Sequence, residues 1–141
     1  MKIIIRNAQD ADTEELERLF QVTRQQTFTS RSPDEFKIGD YKESTMGEIV
    51  WIAIKEGQIA GFISIFMPNF IHNLFVCQQF QNQGIGTQLL QKAEENLESP
   101  MELKIAMDNL EACLFYQKHG WREIAVHDDE KEPYLLYRKS K

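Results

Sequence analysis

Two glycines, Gly84 and Gly86, lie between a predicted strand that ends at Val76 and a predicted helix that opens at the first glycine. A helix N-terminus exposes unpaired backbone N–H groups and the positive end of the helix dipole. Glycine lets an anion approach such a backbone closely. The arrangement therefore predicts a phosphate site, most naturally for a pyrophosphate, although a plain strand-to-helix turn would also explain the glycines.

Two common nucleotide-binding loops do not fit this segment. A Rossmann G-x-G-x-x-G loop needs glycine at position 89, where the sequence has Leu89, and the acidic residue that should follow it has no clear candidate. A Walker loop needs Gly-Lys-Ser/Thr, which is absent from the sequence. The predicted anion site is therefore of another type.

Two motifs of the sequence resemble one family of acyltransferases. Residues Gln81–Gly86 (Q-x-x-G-x-G) are similar to the Q/R-x-x-G-x-G/A signature of the GNAT (Gcn5-related N-acetyltransferase) superfamily. Residues Asn109–Trp121 (N-x-x-A-x-x-F-Y-x-x-x-G-W) resemble the family's N-x-x-A-x-x-F-Y-x-x-x-G-F helix, with Trp121 in place of the usual Phe. The order of predicted elements also matches across nearly the whole chain, which resembles the small single-domain bacterial members.

The resemblance implies acetyl-CoA as the cosubstrate and no metal. In this family the strand before the glycine loop splays from the next parallel strand, and the pantetheine arm of acetyl-CoA enters the gap. The corresponding strands here are Phe70–Val76 and Leu103–Met107. The residues expected at the cofactor are Leu74, Phe75, Val76, Gln81, Asn82, Gln83, Gly84, Ile85, Gly86, Thr87, Asn109 and Tyr116.

Catalytic roles for Leu74 and Tyr116 are also implied by the resemblance. The backbone amide of Leu74 corresponds to the oxyanion donor that stabilises the thioester oxygen as charge develops on it. The phenol of Tyr116 corresponds to the general acid that protonates the departing CoA thiolate. Without the resemblance, a core-facing helical tyrosine beside Phe115 is the simpler interpretation.

A general base must take a proton from the acceptor ammonium before the amine can attack. Phe70 stands where histone-acetylating relatives carry a glutamate. His72 is the leading candidate because imidazole changes charge near neutral pH, and strand alternation predicts that it shares a face with Phe70 and Leu74. A water chain from backbone carbonyls is the alternative. Weaker candidates are Glu43, Glu48 and Asp108, whereas surface positions are expected for His119 and His127.

The acceptor is expected to be a primary amine, on a small molecule or on a lysine or N-terminus of a protein. Its pocket should lie between the first two helices and the last hairpin, where Phe28, Tyr41 and Tyr134 could line it. A role in the core is the alternative for each of these aromatic residues.

Other modes of action remain open from the sequence. Cys77 could carry the acyl group as a nucleophile, but no base partner is recognisable near it. A non-catalytic CoA or acyl-CoA sensor or regulatory module is a function of a different class. A structural domain with a non-binding glycine turn is a third.

The predicted elements follow the order β-α-α-β-β-β-α-β-α-β-β. They indicate an α/β (mixed α+β) fold, with a central twisted sheet of about six to seven strands flanked by about four helices and with splayed parallel strands in the middle. A short second helix is expected to start at Ser32–Glu35, where serine, proline and glutamate form a start signal, and to end near Gly39. Residues 1–141 are expected to form one domain.

Composition excludes several classes of protein. The 141 residues are 42% hydrophobic and 27% charged, which is typical of a globular protein. The net charge of −6 and the absence of a basic run argue against nucleic-acid binding. The negative charge could attract a cationic amine. Two cysteines without CxxC spacing argue against zinc. The sequence shows neither a signal peptide nor an apolar run of about 20 residues, so we expect a soluble cytoplasmic protein, monomer or homodimer, away from membranes.

Overall fold

The computed structural model describes residues 2–141, within which seven strands form one sheet in the order β1-β2-β3-β4-β5-β7-β6. The strands are β1 (Ile4–Asn7), β2 (Ile49–Lys55), β3 (Gln58–Phe66), β4 (Phe70–Val76), β5 (Met101–Ala106), β6 (Arg122–His127) and β7 (Tyr134–Lys139). The same part of the chain has four α-helices: α1 (Thr13–Thr27), α2 (Asp40–Ser44), α3 (Ile85–Asn96) and α4 (Leu110–Lys118). The predicted mixed sheet flanked by helices is confirmed. No helix within residues 2–141 has the length and hydrophobicity needed to cross a bilayer.

Helices cover both faces of the sheet, and the central strand β3 is buried on both sides. On one face Ile63 of β3 packs in a cluster with Leu89 of α3 and Tyr116 of α4. On the other face Phe62 packs with Phe20 of α1 and with residues of α2. Because strand side chains alternate between faces, a strand covered on both sides is apolar throughout. This explains why β3 is apolar from Ile59 to Ile65 apart from Ser64, which is itself buried.

The parallel strands β4 and β5 separate soon after they meet. Their ladder consists of the pairs Phe70–Glu102 and Ile71–Leu103, although β4 continues to Val76. All other strand pairs in the sheet are antiparallel. The predicted splay of the middle strands is thereby confirmed, and it leaves one edge of β4 open beyond Ile71.

A β-bulge lies at the point where β4 leaves β5. The neighbouring β3 residues Ser64 and Ile65 pair with Asn73 and Ile71, so His72 is the extra residue. A bulge interrupts the alternation of side chains along a strand. Leu74 consequently lies on the α3 face with Ile71. The prediction that His72, Phe70 and Leu74 share one face is therefore wrong, because Phe70 and Leu74 lie on opposite sides.

The second helix begins where the sequence predicts its end. Pro33–Glu35 forms only a 3₁₀ turn, and α2 follows Gly39. The carboxylate of Glu17 on α1 accepts hydrogen bonds from the backbone amides of Gly39, Tyr41 and Lys42 at 2.8, 2.9 and 3.0 Å. This distant side chain satisfies the unpaired donors at the start of α2, and a local start signal cannot reveal it.

Candidate functional site

A cleft of about 480 Å³ opens beyond the separation of β4 and β5. It is bounded by the end of β4, the start of α3, the inner side of α4 and the α1 residues Thr23 and Thr27. Every residue predicted at the cofactor lines this cleft, except Gln83. The side chain of Gln83 instead contacts Lys55 and the carbonyl oxygen of Gln79.

The open edge of β4 presents backbone groups to the cleft. The amide of Cys77 donates to the carbonyl oxygen of Ala60 at 2.7 Å, which makes these two residues a hydrogen-bonded pair. Hydrogen-bonding direction alternates along an antiparallel strand. The N–H and C=O groups of Leu74 and Val76 therefore point away from β3, toward the gap. The side-chain amide of Gln81 donates to the Val76 carbonyl oxygen at 3.3 Å.

The start of α3 provides an anion-binding geometry. Gly84 has a φ of +81°, a left-handed conformation that side chains rarely adopt, and it precedes the first helical residue. The first hydrogen bond of the helix runs from the amide of Gln88 to Gly84. The amides from Ile85 to Thr87 are therefore free of helical partners. A Cβ on Gly86 would lie 3.4 Å from the Phe115 ring, so glycine keeps this wall of the cleft open.

The ring of His119 lies in the wall of the cleft, half-buried. Its Nδ1 lies 2.8 Å from the carbonyl oxygen of Phe115, and its Nε2 lies 3.0 Å from the hydroxyl of Thr87. His119 is therefore partly exposed, and the surface on which it lies is that of the cleft. The spacing of four residues from Phe115 places both on one side of α4, which was the available signal for finding His119.

Tyr116 is buried and lines the cleft. Its ring packs edge-on against Phe115 and Trp121, with centroid distances of 5.2 and 5.8 Å. Burial, and to a smaller degree the negative charge of Glu94, raises the pKa of Tyr116 above its ordinary value. The phenol is therefore held in its protonated form, which is the form that a proton donor needs.

The bulged His72 is paired with a buried carboxylate. Its Nδ1 lies 2.6 Å from Oε2 of Glu48, whose side chain is only 7% exposed, while that of His72 is 42% exposed. His72 does not line the cleft itself. It is the first β4 residue beyond the last parallel pair, so it lies at the apex of the gap.

The three aromatic residues predicted at the acceptor pocket do not come together. Tyr41 is 6% exposed and packs edge-on against Phe62 at 5.3 Å, so its side chain belongs to the core, contrary to the prediction. Phe28 lies under the guanidinium of Arg31 at 4.2 Å. Tyr134 stacks on His127 with a centroid distance of 4.6 Å. None of the three lines the cleft.

Cys77 lies at the end of β4 and is half-buried. Burial, and then the charge of Glu15, raises the pKa of this thiol. Since the thiolate is the nucleophile, the surroundings of Cys77 work against a role as acyl carrier.

Potential metal ligands stand together at the connection between β6 and β7. Ligand atoms of His127, Asp129 and Glu130 lie within 4.8 Å of one another. Both carboxylates are exposed, and such groups commonly cluster without an ion. The group lies outside the cleft, and the expectation that no metal takes part stays a prediction.

Comparison with known proteins identifies a family match over most of the chain. A family model described as "Acetyltransferase (GNAT) family" matches residues 13–121. The peptidyl-lysine N-acetyltransferase YiaC of Escherichia coli (strain K12) is 29% identical over 85 residues, which cover 59% of this chain and 58% of that protein. The chain spans about half the length of the curated relatives it matches.

Solved structures of similar fold cover nearly the whole chain. The apo-form of YjaB from Escherichia coli superposes with a TM-score of 0.80 at 23% identity, covering 98% of this chain and 97% of that chain. The PaiA N-acetyltransferase of Thermoplasma acidophilum, solved in complex with coenzyme A, has a TM-score of 0.78 at 18% identity and covers 99% of both chains. At these identities the likeness shows the fold.

Proposed function

Because the chain belongs to the acetyltransferase (GNAT) family, we propose that it is an acetyl-CoA-dependent N-acetyltransferase that moves the acetyl group directly to a primary amine. The observation that carries this proposal is the shared cleft, in which the free amides of α3, the open edge of β4 and the phenol of Tyr116 meet. The acceptor is an amine of a small molecule, or a lysine or N-terminus of a protein. The partial match to a protein named as a peptidyl-lysine N-acetyltransferase supports lysine among these acceptors.

Binding of the cosubstrate relies on two backbone surfaces. The amides from Ile85 to Thr87, at the positive end of the α3 dipole, hold the pyrophosphate. The outward N–H and C=O groups of Leu74 and Val76 pair with the pantetheine arm, as a further strand pairs with a sheet edge. Gly86 fits this role, because its missing side chain keeps the approach to the amides open.

Chemistry takes place between Leu74 and Tyr116. The neutral amine attacks the thioester carbonyl, and the Leu74 N–H donates to the oxygen on which negative charge develops. As the C–S bond breaks, Tyr116 gives its proton to the departing sulfur. His72 takes the first proton from the acceptor ammonium, directly or through one water molecule.

Two measurements on the full chain test the function. Calorimetric titration with acetyl-CoA should show one site per chain, and a thiol-release assay should show CoA formation in the presence of at least one amine of a panel. The panel should contain small polyamines, amino acids, lysine peptides and peptides with free N-termini. Absence of CoA binding would refute the proposal. Binding without turnover across the panel would instead favour a sensor or regulatory module.

A further inference from the structure

Glu48 is a buried acid held in a fixed position. Its backbone amide donates to the Thr45 carbonyl oxygen at 2.9 Å in the turn after α2, directly before β2. Within residues 2–141, Oε1 of this carboxylate is buried without a hydrogen-bond partner, while Oε2 contacts His72. A buried carboxylate with one partner is costly for folding. Since this arrangement does not stabilise the fold, we look for its explanation in the function of the protein.

The contact decides which nitrogen of His72 carries the proton. An ionised carboxylate can only accept a hydrogen bond, so the Nδ1 atom at 2.6 Å from Oε2 must be the donor. In the neutral imidazole this leaves Nε2 unprotonated, with its lone pair available. When Nε2 takes up a proton, the positive ring lies beside a carboxylate that water scarcely reaches, where charges attract strongly.

His72 lies beside the Leu74 end of the cleft, although its side chain is not part of the cleft lining. A strand rises about 3.3 Å per residue, so the Leu74 amide lies roughly 7 Å further along β4. That span accommodates an amine nitrogen with or without one bridging water molecule. Because His72 is the extra residue of the bulge, its side chain departs from the regular alternation along β4. The exposed ring of His72 is open to an incoming substrate.

We propose that Glu48 is a positioning residue for this base: its carboxylate holds the Nδ1–H of His72 and leaves Nε2 free to accept a proton from the acceptor ammonium. The inference rests on the proposed acetyl transfer, which supplies the need for a neutral amine. It adds a second residue to the proton path, 24 positions before His72 in the chain.

Protons balance along this path. The ammonium gives one proton to Nε2 of His72, which later releases it to solvent. The neutral nitrogen then forms the C–N bond, the C–S bond breaks, and the sulfur takes the proton of Tyr116. The second proton of the attacking nitrogen restores the Tyr116 phenol, so that the products are amide, CoA thiol and one proton in solution.

Two other charged groups at this level of the sheet have contacts of their own. Glu102 of β5 accepts from Arg138 of β7 at 2.6 and 2.9 Å. The ammonium of Lys104 lies 4.6 Å from the centre of the Tyr134 ring. Within residues 2–141, the charged group that contacts the His72 ring is Glu48.

Replacing Glu48 by Gln tests the proposal with little change in size. The amide can donate to Nδ1 and so favours the proton on Nε2, which disables the base. We expect turnover to fall about 10-fold or more with a strongly basic amine, and the acid limb of the pH–rate profile to change. With a weakly basic amine, which is largely neutral without a base, turnover should stay close to that of the unmodified protein. Glu14→Gln, a change in a side chain of α1 that is 91% exposed, is the matched control.

A double variant separates positioning from a structural role. His72→Gln should lower turnover with basic amines by roughly 100-fold, and adding Glu48→Gln should cost little more, because residues that act as a unit are not additive. Thermal unfolding and acetyl-CoA titration establish that each variant is folded. Equal loss from Glu48→Gln with or without His72, or the same loss for both amine types, overturns the inference. So does unchanged turnover in either single variant, which points to a water chain. Failure of the unmodified protein with every amine refutes the proposed function instead.

Discussion

The hydroxyl oxygen of Thr87 lies 3.0 Å from Nε2 of His119, whose Nδ1 lies 2.8 Å from the carbonyl oxygen of Phe115. A carbonyl oxygen only accepts, so Nδ1 carries a proton and the neutral ring accepts the Thr87 hydroxyl proton at Nε2. When the ring is protonated, Nε2 donates to Thr87 instead. The hydroxyl proton of Thr87, at the first turn of α3, is then free to bond a phosphate oxygen.

This relationship predicts that the Thr87 hydroxyl contributes to acetyl-CoA binding. Thr87→Val keeps the size of the side chain but removes the hydroxyl that contacts His119 and faces the proposed phosphate site. We expect calorimetric affinity for acetyl-CoA to fall by about 3- to 10-fold, the range expected for one lost hydrogen bond. Thr87→Ser keeps the hydroxyl and is the matched control, which should bind nearly as tightly as the unmodified protein. Unchanged affinity of Thr87→Val would contradict the prediction.

Gly86→Glu should abolish acetyl-CoA binding in a folded protein. The new side chain would start 3.4 Å from the Phe115 ring and carry negative charge into the cleft beside the α3 amides. Gln83→Glu adds the same charge in the same loop but outside the cleft, next to Lys55. Calorimetry should show lost binding for the first variant and nearly unchanged binding for the second, with equal far-UV circular dichroism. Comparable loss in both would place the phosphates elsewhere.

Local signals predict the parts of the site that depend on neighbouring residues. Asn109 accepts a hydrogen bond from the Ala112 amide at 3.2 Å and caps α4, as its position in the motif indicates. Gly84 precedes α3 in a left-handed conformation with a φ of +81°, which suits glycine. Each depends on a few adjacent positions, and the sequence displays them directly.

Contacts between distant segments could not be predicted in this way. The start of α2 depends on Glu17, 22 residues before Gly39. The bulge at His72 is a matter of register with β3, and its partner Glu48 comes from another segment. One extra residue in a strand changes the face of every side chain beyond it. The base region was therefore the least predictable part of the site.

Tyr116→Phe should lower turnover by roughly 100-fold while leaving acetyl-CoA binding nearly intact, because the phenol acts in the transfer step, where it protonates the departing sulfur. Because burial raises the pKa of Tyr116, its phenol stays protonated at a higher pH than an ordinary tyrosine does. An ordinary tyrosine ionises near pH 10, so we expect no loss of acid function below that pH. The unfolded chain releases this proton near pH 10 and the native protein keeps it, so stability should fall as the pH rises beyond that point. Tyr116→Phe should weaken this fall in denaturant titrations, and an unchanged fall would assign it to other groups.

Glu17→Gln should destabilise the fold by about 1–3 kcal/mol, because a buried acceptor is replaced by a group that offers an N–H to other N–H donors. In the native protein Oε1 of Glu17 accepts from the amides of Gly39 and Tyr41, and Oε2 accepts from that of Lys42. An amide side chain can satisfy only the first pair or the last donor. Glu14→Gln, on the same helix with 91% of its side chain exposed, should change stability by less than about 0.5 kcal/mol. Urea unfolding of both variants measures the difference. Equal stability of the two variants would show that solvent can replace the carboxylate. Since α2 leads into the turn that holds Glu48, loss of this cap should also lower turnover with basic amines more than with weakly basic ones.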